Sequence, residues 1–408
     1  MKLSIKRNDI TPDKPCFQGG YTQRTEPFHH VHDPITITAF GITFENTKIV
    51  IVGIDVVGFD ETITSRIMDK IREANIDLDE DHLILNVAHT HSGPLVSGDR
   101  LNHTVDTDYQ DKFVQVVAKT VIEAYLDEGE EVTVKYRKTL IDGLYSNRND
   151  KNKMSDKWIH TLGFYHDNNL VTMLVNLAHH CTVLGPNNMD LSADLFGELR
   201  KRLEKQENTT VMMIQGNAGD MGNKQYRQGN LFDELERQAS NIIDQINKRS
   251  SAWIPINLTT CDIKTGSYHA EWDDDANVFE EKKKDFEEKL KTETNFDTVK
   301  LLVTGIACFD KKIQAGSGHR EREMKYRIFN MNDIQLVVVP GELGSILGLR
   351  IKEASNAKIC LVFGYAAPTY LGYMVEKEAY GSFSQESNVT DYPAGISDAY
   401  VEEIIHHL

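Results

Sequence analysis

The 408-residue sequence predicts an α/β protein in which mixed or parallel β-sheets are flanked by helices. Three observations lead there. Short apolar runs rich in β-branched residues recur along the chain. Amphipathic stretches of helical period separate them. Small or ligand-type polar residues cluster directly after the runs, which places a site at the carboxyl ends of the strands.

The elements follow in order. KIVIVGIDVV (48–57) reads as a buried strand. In DETITSRIMDKIREA (60–74), Ile63, Ile67 and Ile71 recur at helical spacing, and LILNVA (83–88) is again a strand. Strand, helix and strand in close succession form a βαβ unit, which requires parallel pairing and a sheet covered by helices. A helix is expected at about 108–127, with Phe113, Val114, Val117, Val121 and Ile122 on one face. Strand signals appear at VTVKYRK (132–138) and LVTMLVNLA (170–178). SADLFGELRKRLEKQ (192–206) is a helix with Ser192 as its expected N-cap. TVMMIQ (210–215) is a buried strand, and LFDELERQASNIIDQINKR (231–249) is a long amphipathic helix. From about 272 to 300 charge dominates and core anchors are few, so an exposed surface helix is expected there. Apolar strands return at IQLVVVP (334–340) and ICLVFG (359–364). No internal repeat, low-complexity linker or domain boundary is visible. The expectation is therefore one domain over 1–408, carrying a charged helical segment on its surface.

Composition narrows the function classes. Hydrophobic residues make up 40% of the chain, enough for a substantial core. The formal net charge of −17 argues against a large basic face for nucleic acid or an anionic membrane. No segment approaches the roughly 20 consecutive apolar residues of a membrane span. The first residues, MKLSIKRNDITPDKP, hold basic side chains but no apolar run, so a cytoplasmic location is expected. Cys16, Cys181, Cys261, Cys308 and Cys360 are far apart and never form a C-x-x-C pair. That pattern fits reduced thiols and not a disulfide framework or a cysteine zinc cage.

Chemistry gathers after the apolar runs. LILNVA leads into His89-Thr90-His91-Ser92-Gly93-Pro94, and LVTMLVNLA into His179-His180-Cys181-Thr182. TVMMIQ leads into Gly216-Asn217-Ala218-Gly219-Asp220, IQLVVVP into Gly341-Glu342, and ICLVFG into Tyr365, Tyr370 and Tyr373. Strand ends so loaded, drawn from both halves of the chain, point to one shared site. Imidazole and carboxylate are zinc ligands, and two histidines with one glutamate leave a coordination position open. If the strand continues, His89 and His91 point to one face, whereas the adjacent His179 and His180 face opposite ways, so only one of those two reaches the site. Taken alone, each histidine pair reads more often as hydrogen-bonded structure than as a metal site. Ligating imidazoles need acceptors behind them. Asp33, Asp55, Asp194 and Asp220 are candidates, as well as candidates for plain turn caps. Gly216, Asn217 and Gly219 could form an anion nest or a tight turn. His29, His30 and His32 read as a structural turn, and His406 and His407 as the last turn of a helix.

AHTHSGP (88–94) resembles the H-T-H-S-G-P motif of the neutral, non-lysosomal ceramidase family. The resemblance continues in order through ITP (10–12), HDP (32–34), AHHCTVLGPNN (178–188) with SAD (192–194), QGNAGD (215–220), PGE (340–342) and Y-x-x-Y (370–373). It covers the chain from about 8 to 405. The resemblance implies a Zn²⁺ ion held by His89, His180 and Glu342, with Tyr373 at the metal as a distal ligand or oxyanion partner. It implies that His91 contacts the scissile amide and that Arg148, in SNRN, contacts substrate. The activity it implies is that of a zinc-dependent amidohydrolase acting on carbon–nitrogen bonds other than peptide bonds, with a small-molecule N-acyl substrate. The sequence departs from the family at Cys181, where proline is frequent, and in MVEKEAYGSFSQESN (374–388), which lacks the usual threonines. It also lacks the secretion signal and additional C-terminal β-sandwich domain of the larger ceramidases, so a substrate smaller and more polar than long-chain ceramide is expected. Two alternatives stand beside this reading: hydrolysis of another carbonyl bond such as an ester or lactam, and a catalytically inactive metal-bearing binding protein.

Overall fold

Three sheets share one plan. A computed structural model describes residues 1–98, 103–367 and 370–408. The first sheet is built from β1 (Lys2–Asp9), β2 (Thr36–Thr43) and β3 (Lys48–Ile54), then helix α1 (Glu61–Glu73) and β4 (Leu83–Val87). β1, β2 and β3 are antiparallel neighbours, and β4 joins β3 in parallel. Helix α2 (Thr107–Leu126) packs on α1, β1 and β2.

The second sheet repeats the order with β5 (Thr133–Leu140), β6 (Trp158–His166), β7 (Asn169–Leu177), α3 (Asp194–Glu207) and β8 (Thr210–Gln215). The first two pairs are antiparallel and β7–β8 is parallel. Helix α4 (Phe232–Arg249) packs on α3. The third sheet holds β9 (Asp262–Asp274), a helical hairpin of α5 (Ala276–Leu290) and α6 (Phe296–Ala315), then β10 (Gly318–Met331), β11 (Ile334–Val338), α7 (Ser345–Ala354) and β12 (Ile359–Phe363). Again two antiparallel pairs precede one parallel pair. Helix α8 (Ile396–His407) packs on α7.

Alternation within each strand builds two cores. Ile49 and Ile51 of β3 join Phe164, Leu174, Met212, Leu336 and Phe363 in a core shared by all three sheets. Val50 and Val52 face the other way, toward Ile63, Ile67, Val117 and Val121 of the helices. Side chains alternate between sheet faces, so strands buried on both faces read as continuous apolar runs. On the third sheet the outer face is covered by Leu347, Ile351, Val401 and Ile404.

Two expectations are corrected. Helix α3 starts at Asp194, and its N-cap position, Ala193, makes no side-chain cap. Ser192 is not that cap residue. Its Oγ donates to Asp33 Oδ1 at 2.6 Å, and Asp33 Oδ2 accepts from Ala193 N at 2.8 Å, so a carboxylate from afar serves the helix start. The charged segment at 272–300 is likewise not one exposed helix. It spans the end of β9, all of α5 and the first turn of α6, and the hairpin has its own small core of Phe286, Leu301, Leu302 and Phe309. No helix among the described residues is long and apolar enough to cross a membrane. No disulfide links the described cysteines, and His406 and His407 close α8 as expected.

Candidate metal centre

The three sheets meet at the carboxyl ends of their parallel strands. Asn86 of β4 donates to the carbonyls of Gln215 and Gly364 at 3.1 and 2.6 Å and accepts from Gln215 N at 2.8 Å, joining the ends of β4, β8 and β12. Gln215 Nε2 then donates to the carbonyls of Ala88 and His179 at 3.0 and 2.8 Å. Those residues immediately precede His89 and His180, so one buried amide sets the spacing of the two histidine segments.

His89 sits beyond the strand. β4 ends at Val87, and His89 takes a left-handed φ of 60°. His89 and His91 therefore converge through a turn, not through the continued strand that the i, i+2 spacing suggested. Of the second pair, His180 enters the site while His179 turns its ring edge-on to Tyr145.

Each ring is fixed from behind. His89 Nδ1 meets the carbonyl of Val57 at 2.5 Å, and His180 Nδ1 meets that of Ala218 at 3.1 Å. A carbonyl can only accept, so each Nδ1 carries a proton, and in the neutral ring Nε2 presents the lone pair. Those atoms lie 3.4 and 3.6 Å from Glu342 Oε2. Glu342 Oε2 is buried and has no hydrogen-bond donor among the described residues. Burial alone would raise the Glu342 carboxyl, but His89, with Tyr370 and Arg148, holds it below the usual carboxylate range. Burial, with Arg148, His89 and His91 adding to it, keeps His180 neutral, its pKa well below the ordinary value. With both rings neutral, two lone pairs and a carboxylate oxygen face one another with no proton between them. Such an arrangement is repulsive unless a cation lies at its centre, and the donor set fits zinc.

His91 completes the cluster. Its Nε2 is 3.2 Å from His89 Nε2, and His89, His91 and His180 bring ring nitrogens within 4.8 Å of one another. His91 Nδ1 has no partner among the described residues, and burial, then His89, Lys300 and other nearby cations, hold its pKa well below 6.5. Gly20, at a φ of 91°, closes the chain over this ring; a Cβ there would lie 2.3 Å from His91 Cγ. Tyr373 places its hydroxyl 3.4 Å from His180 Nε2 and accepts from Arg148 Nη2 at 3.1 Å. Burial raises the Tyr373 pKa, with Glu342 pushing the same way, so the phenol keeps its proton. The structure therefore brings His89, His91, His180, Glu342, Tyr373 and Arg148 together.

The four aspartates do not stand behind the imidazoles; backbone carbonyls do. Asp55 pairs with Arg200 at 2.8 Å, and Asp33 serves α3. Asp194 accepts from Leu184 N at 3.0 Å, and Asp220 accepts from Ser345 N and Asn147 Nδ2 at 2.8 and 2.6 Å. Burial lifts both Asp194 and Asp220 to about 7. Two site residues carried no role in the sequence reading. The Tyr370 hydroxyl donates to Glu342 Oε1, and the Glu386 carboxylate holds Arg148 Nε and accepts from Asn149 Nδ2 at 2.9 Å. Tyr370 was visible as the first tyrosine of Y-x-x-Y; Glu386 lies in a polar segment that gives no such signal. Away from the centre, His269, Glu271 and Glu321 form an exposed group with its own contacts. His32 stacks on Phe232, as suits a structural turn.

No protein-family model and no curated protein sequence matches this chain. Solved structures do. The neutral ceramidase from Pseudomonas aeruginosa matches with a TM-score of 0.75 at 16% identity, over 99% of this chain and 73% of that one. The chain has the neutral ceramidase fold. A structure described as a ceramidase complexed with C2 matches at TM-score 0.74 and 14% identity, over 99% of this chain and 74% of that one. The ceramidase fold thus accounts for nearly the whole chain, while the identity is too low to carry more than the fold.

Proposed function

We propose that this chain is a zinc-dependent hydrolase of an amide bond in a small-molecule N-acyl substrate, working as one catalytic unit. The observation that carries it is the buried Glu342 carboxylate facing the Nε2 atoms of His89 and His180, its Oε2 without a donor among the described residues. These three residues would hold the ion, with the Tyr373 phenol on the remaining side. When bound, zinc lowers the pKa of water to about 7 and polarises a carbonyl. The chain's own residues supply the rest. His91 Nε2, neutral and beside the cluster, takes a proton as water adds to the carbonyl and returns it to the departing nitrogen. The Tyr373 O–H donates to the developing oxyanion, while Arg148, fixed by Glu386, holds the phenol from behind. Water is consumed, the C–N bond breaks, and a carboxylic acid and an amine leave. The ceramidase fold supports this reaction class.

Metal analysis and an N-acyl amide panel test it. Purified protein should hold about one zinc per chain. His89→Ala, His180→Ala and Glu342→Ala should each lose most of it while circular dichroism stays native. Full zinc occupancy in all three variants would refute the assignment. Cleavage of esters but of no amide would move the activity to another carbonyl bond.

A further inference from the structure

A solvent-open cleft lies against the metal centre. Two of its lining residues touch that centre. The Tyr21 ring stands edge-on to His91 at 4.9 Å, and Arg148 Nη2 reaches the Tyr373 hydroxyl at 3.1 Å. The opposite wall is the first turn of α6, with Asp297 and Lys300, together with Lys224 and Arg227. Lys300 Nζ lies 4.4 Å from the Tyr21 ring centroid, so one aromatic ring separates this ammonium from His91.

The charge of the cleft opposes that of the chain. Acidic residues outnumber Lys and Arg by 62 to 45 overall. In the cleft four cations, Arg148, Lys224, Arg227 and Lys300, line the walls with one carboxylate, Asp297. Arg227 is paired to Asp297 at 2.6 Å, and Arg148 is held by Glu386. Lys224 and Lys300 make no ion pair among the described residues. Desolvation lowers the Lys300 pKa to about 7, and Arg148, Arg227 and Lys224 add to that effect against Asp297. Cations crowded without enough carboxylates are costly unless an anion joins them.

We propose that this cleft binds an anionic group of the substrate, so that the amide cleaved belongs to a small N-acyl compound bearing a carboxylate or another compact oxyanion. The inference rests on the amide-hydrolase reading and adds the substrate class to it. The Tyr21 ring contacts both Lys300 and His91, which places the anion within a few bonds of the scissile amide. N-acyl amino acids have that geometry. A neutral long-chain amide offers these cations no partner, and its acyl chain would have to displace their water.

Matched substrates test the proposal: N-acetyl amino acids against their primary amides, with N-acetyltaurine as a sulfonate. The acids should be favoured at least tenfold in kcat/KM, and turnover of the sulfonate would mark the site as general for oxyanions. Lys300→Met and, should that variant fold poorly, Lys224→Gln should shrink the acid preference by roughly 10- to 100-fold, the effect of one charge-assisted hydrogen bond. Lys283→Met, on α5 and paired to Asp310, should leave the ratio unchanged. Calorimetric titration of the metal-free protein with N-acetylglycine and N-acetylglycinamide supplies a readout without turnover; the acid should bind tighter, and more weakly as salt rises. Equal or better turnover of the neutral amides would overturn this inference alone. Refusal of the whole panel by metal-loaded protein would overturn the hydrolase reading, and the titration would then decide the anion site by itself.

Discussion

His89 owes its orientation to a turn and not to a strand. The H-x-H spacing suggested two side chains on one face of a continuing strand. The chain instead leaves β4 at Val87 and enters a left-handed turn at His89, where a non-glycine residue costs on the order of 1–3 kcal/mol. Backbone bonds from Ala88 N to Ile54 O at 2.8 Å and from His89 N to Val56 O at 3.0 Å hold it there. The turn leaves His89 Nε2 toward Glu342 and His91 Nε2 beside it, and this assigns the two rings different tasks. His91→Ala should keep the metal and lower kcat by roughly 10²–10⁴-fold, the usual effect of removing a general acid or base. Metal content by plasma emission and turnover on one N-acyl substrate check it together. Loss of metal from His91→Ala with retention in His89→Ala would mean that the ligand and the proton carrier are exchanged. The ligand-type residues were legible because they follow apolar runs within ordered motifs. The carbonyls of Val57 and Ala218 were not, because a backbone atom behind an imidazole leaves no mark in the residue types.

Among the elements, legibility followed the length of the apolar run more than burial: β2 and β6 are buried over most of their length but were not read as strands, because threonine, glycine and histidine interrupt their apolar residues. Strands buried on both faces, such as β3, β4, β8, β11 and β12, appear as apolar runs and were placed within a few residues. β9 and β10 were missed because their sequences, DIKTGSYHAEWDD and GHREREMKYRIFNM, mix charges with the strand signal. The segment at about 272–300 was read as one surface helix, since the small core of the hairpin draws on only a few apolar residues. That misreading hid the wall of the cleft, because Lys300 looked like one more solvated charge. Loops between elements place the ligands with little slack. A Cβ on Gly219 would lie 2.4 Å from the carbonyl oxygen of Glu342 and 3.0 Å from Leu343 C, both backbone atoms that cannot swing aside. Gly219→Ala should therefore shift Glu342 and weaken zinc about 10- to 100-fold, the range for disturbing groups that orient a ligand. On the same loop a Cβ at Gly222 meets nothing closer than 3.8 Å, so Gly222→Ala should retain the wild-type affinity. Chelator competition on both variants checks the pair, and equal affinities would show that the Gly219 contact is absorbed elsewhere.

At the scale of the whole molecule, three sheets of one strand order contribute to a single centre, although no repeat is visible in the sequence. Each sheet ends in a parallel pair, and the site residues leave those pairs: His89 and His91 after β4, His180 after β7, Glu342 after β11, and the tyrosines after β12. Parallel strands joined through a helix bring carboxyl ends to the same side, so repeating the plan three times surrounds one point with loops. The fourth strand of each sheet is an edge, and an uncovered edge leaves backbone groups unpaired. Here the edges cover one another: Ala367 N donates to Leu85 O at 2.9 Å, Val87 N to Tyr365 O at 3.2 Å, and Asn86 is fully buried between them. Asn86→Leu preserves side-chain volume but strands the N–H and carbonyl of Gln215 and the carbonyl of Gly364. Leaving such groups buried without partners costs about 1–3 kcal/mol each, so urea unfolding should show a loss of roughly 3–5 kcal/mol after partial relaxation. The slope of free energy against urea should stay near its wild-type value, because the surface exposed on unfolding does not change. Zinc affinity should fall with stability, since Gln215, which loses its partners in the variant, also spaces the segments that carry His89 and His180. A loss below about 1 kcal/mol with unchanged affinity would show that the three sheets hold together through their apolar core alone, with the Asn86 bridge incidental to both the fold and the centre.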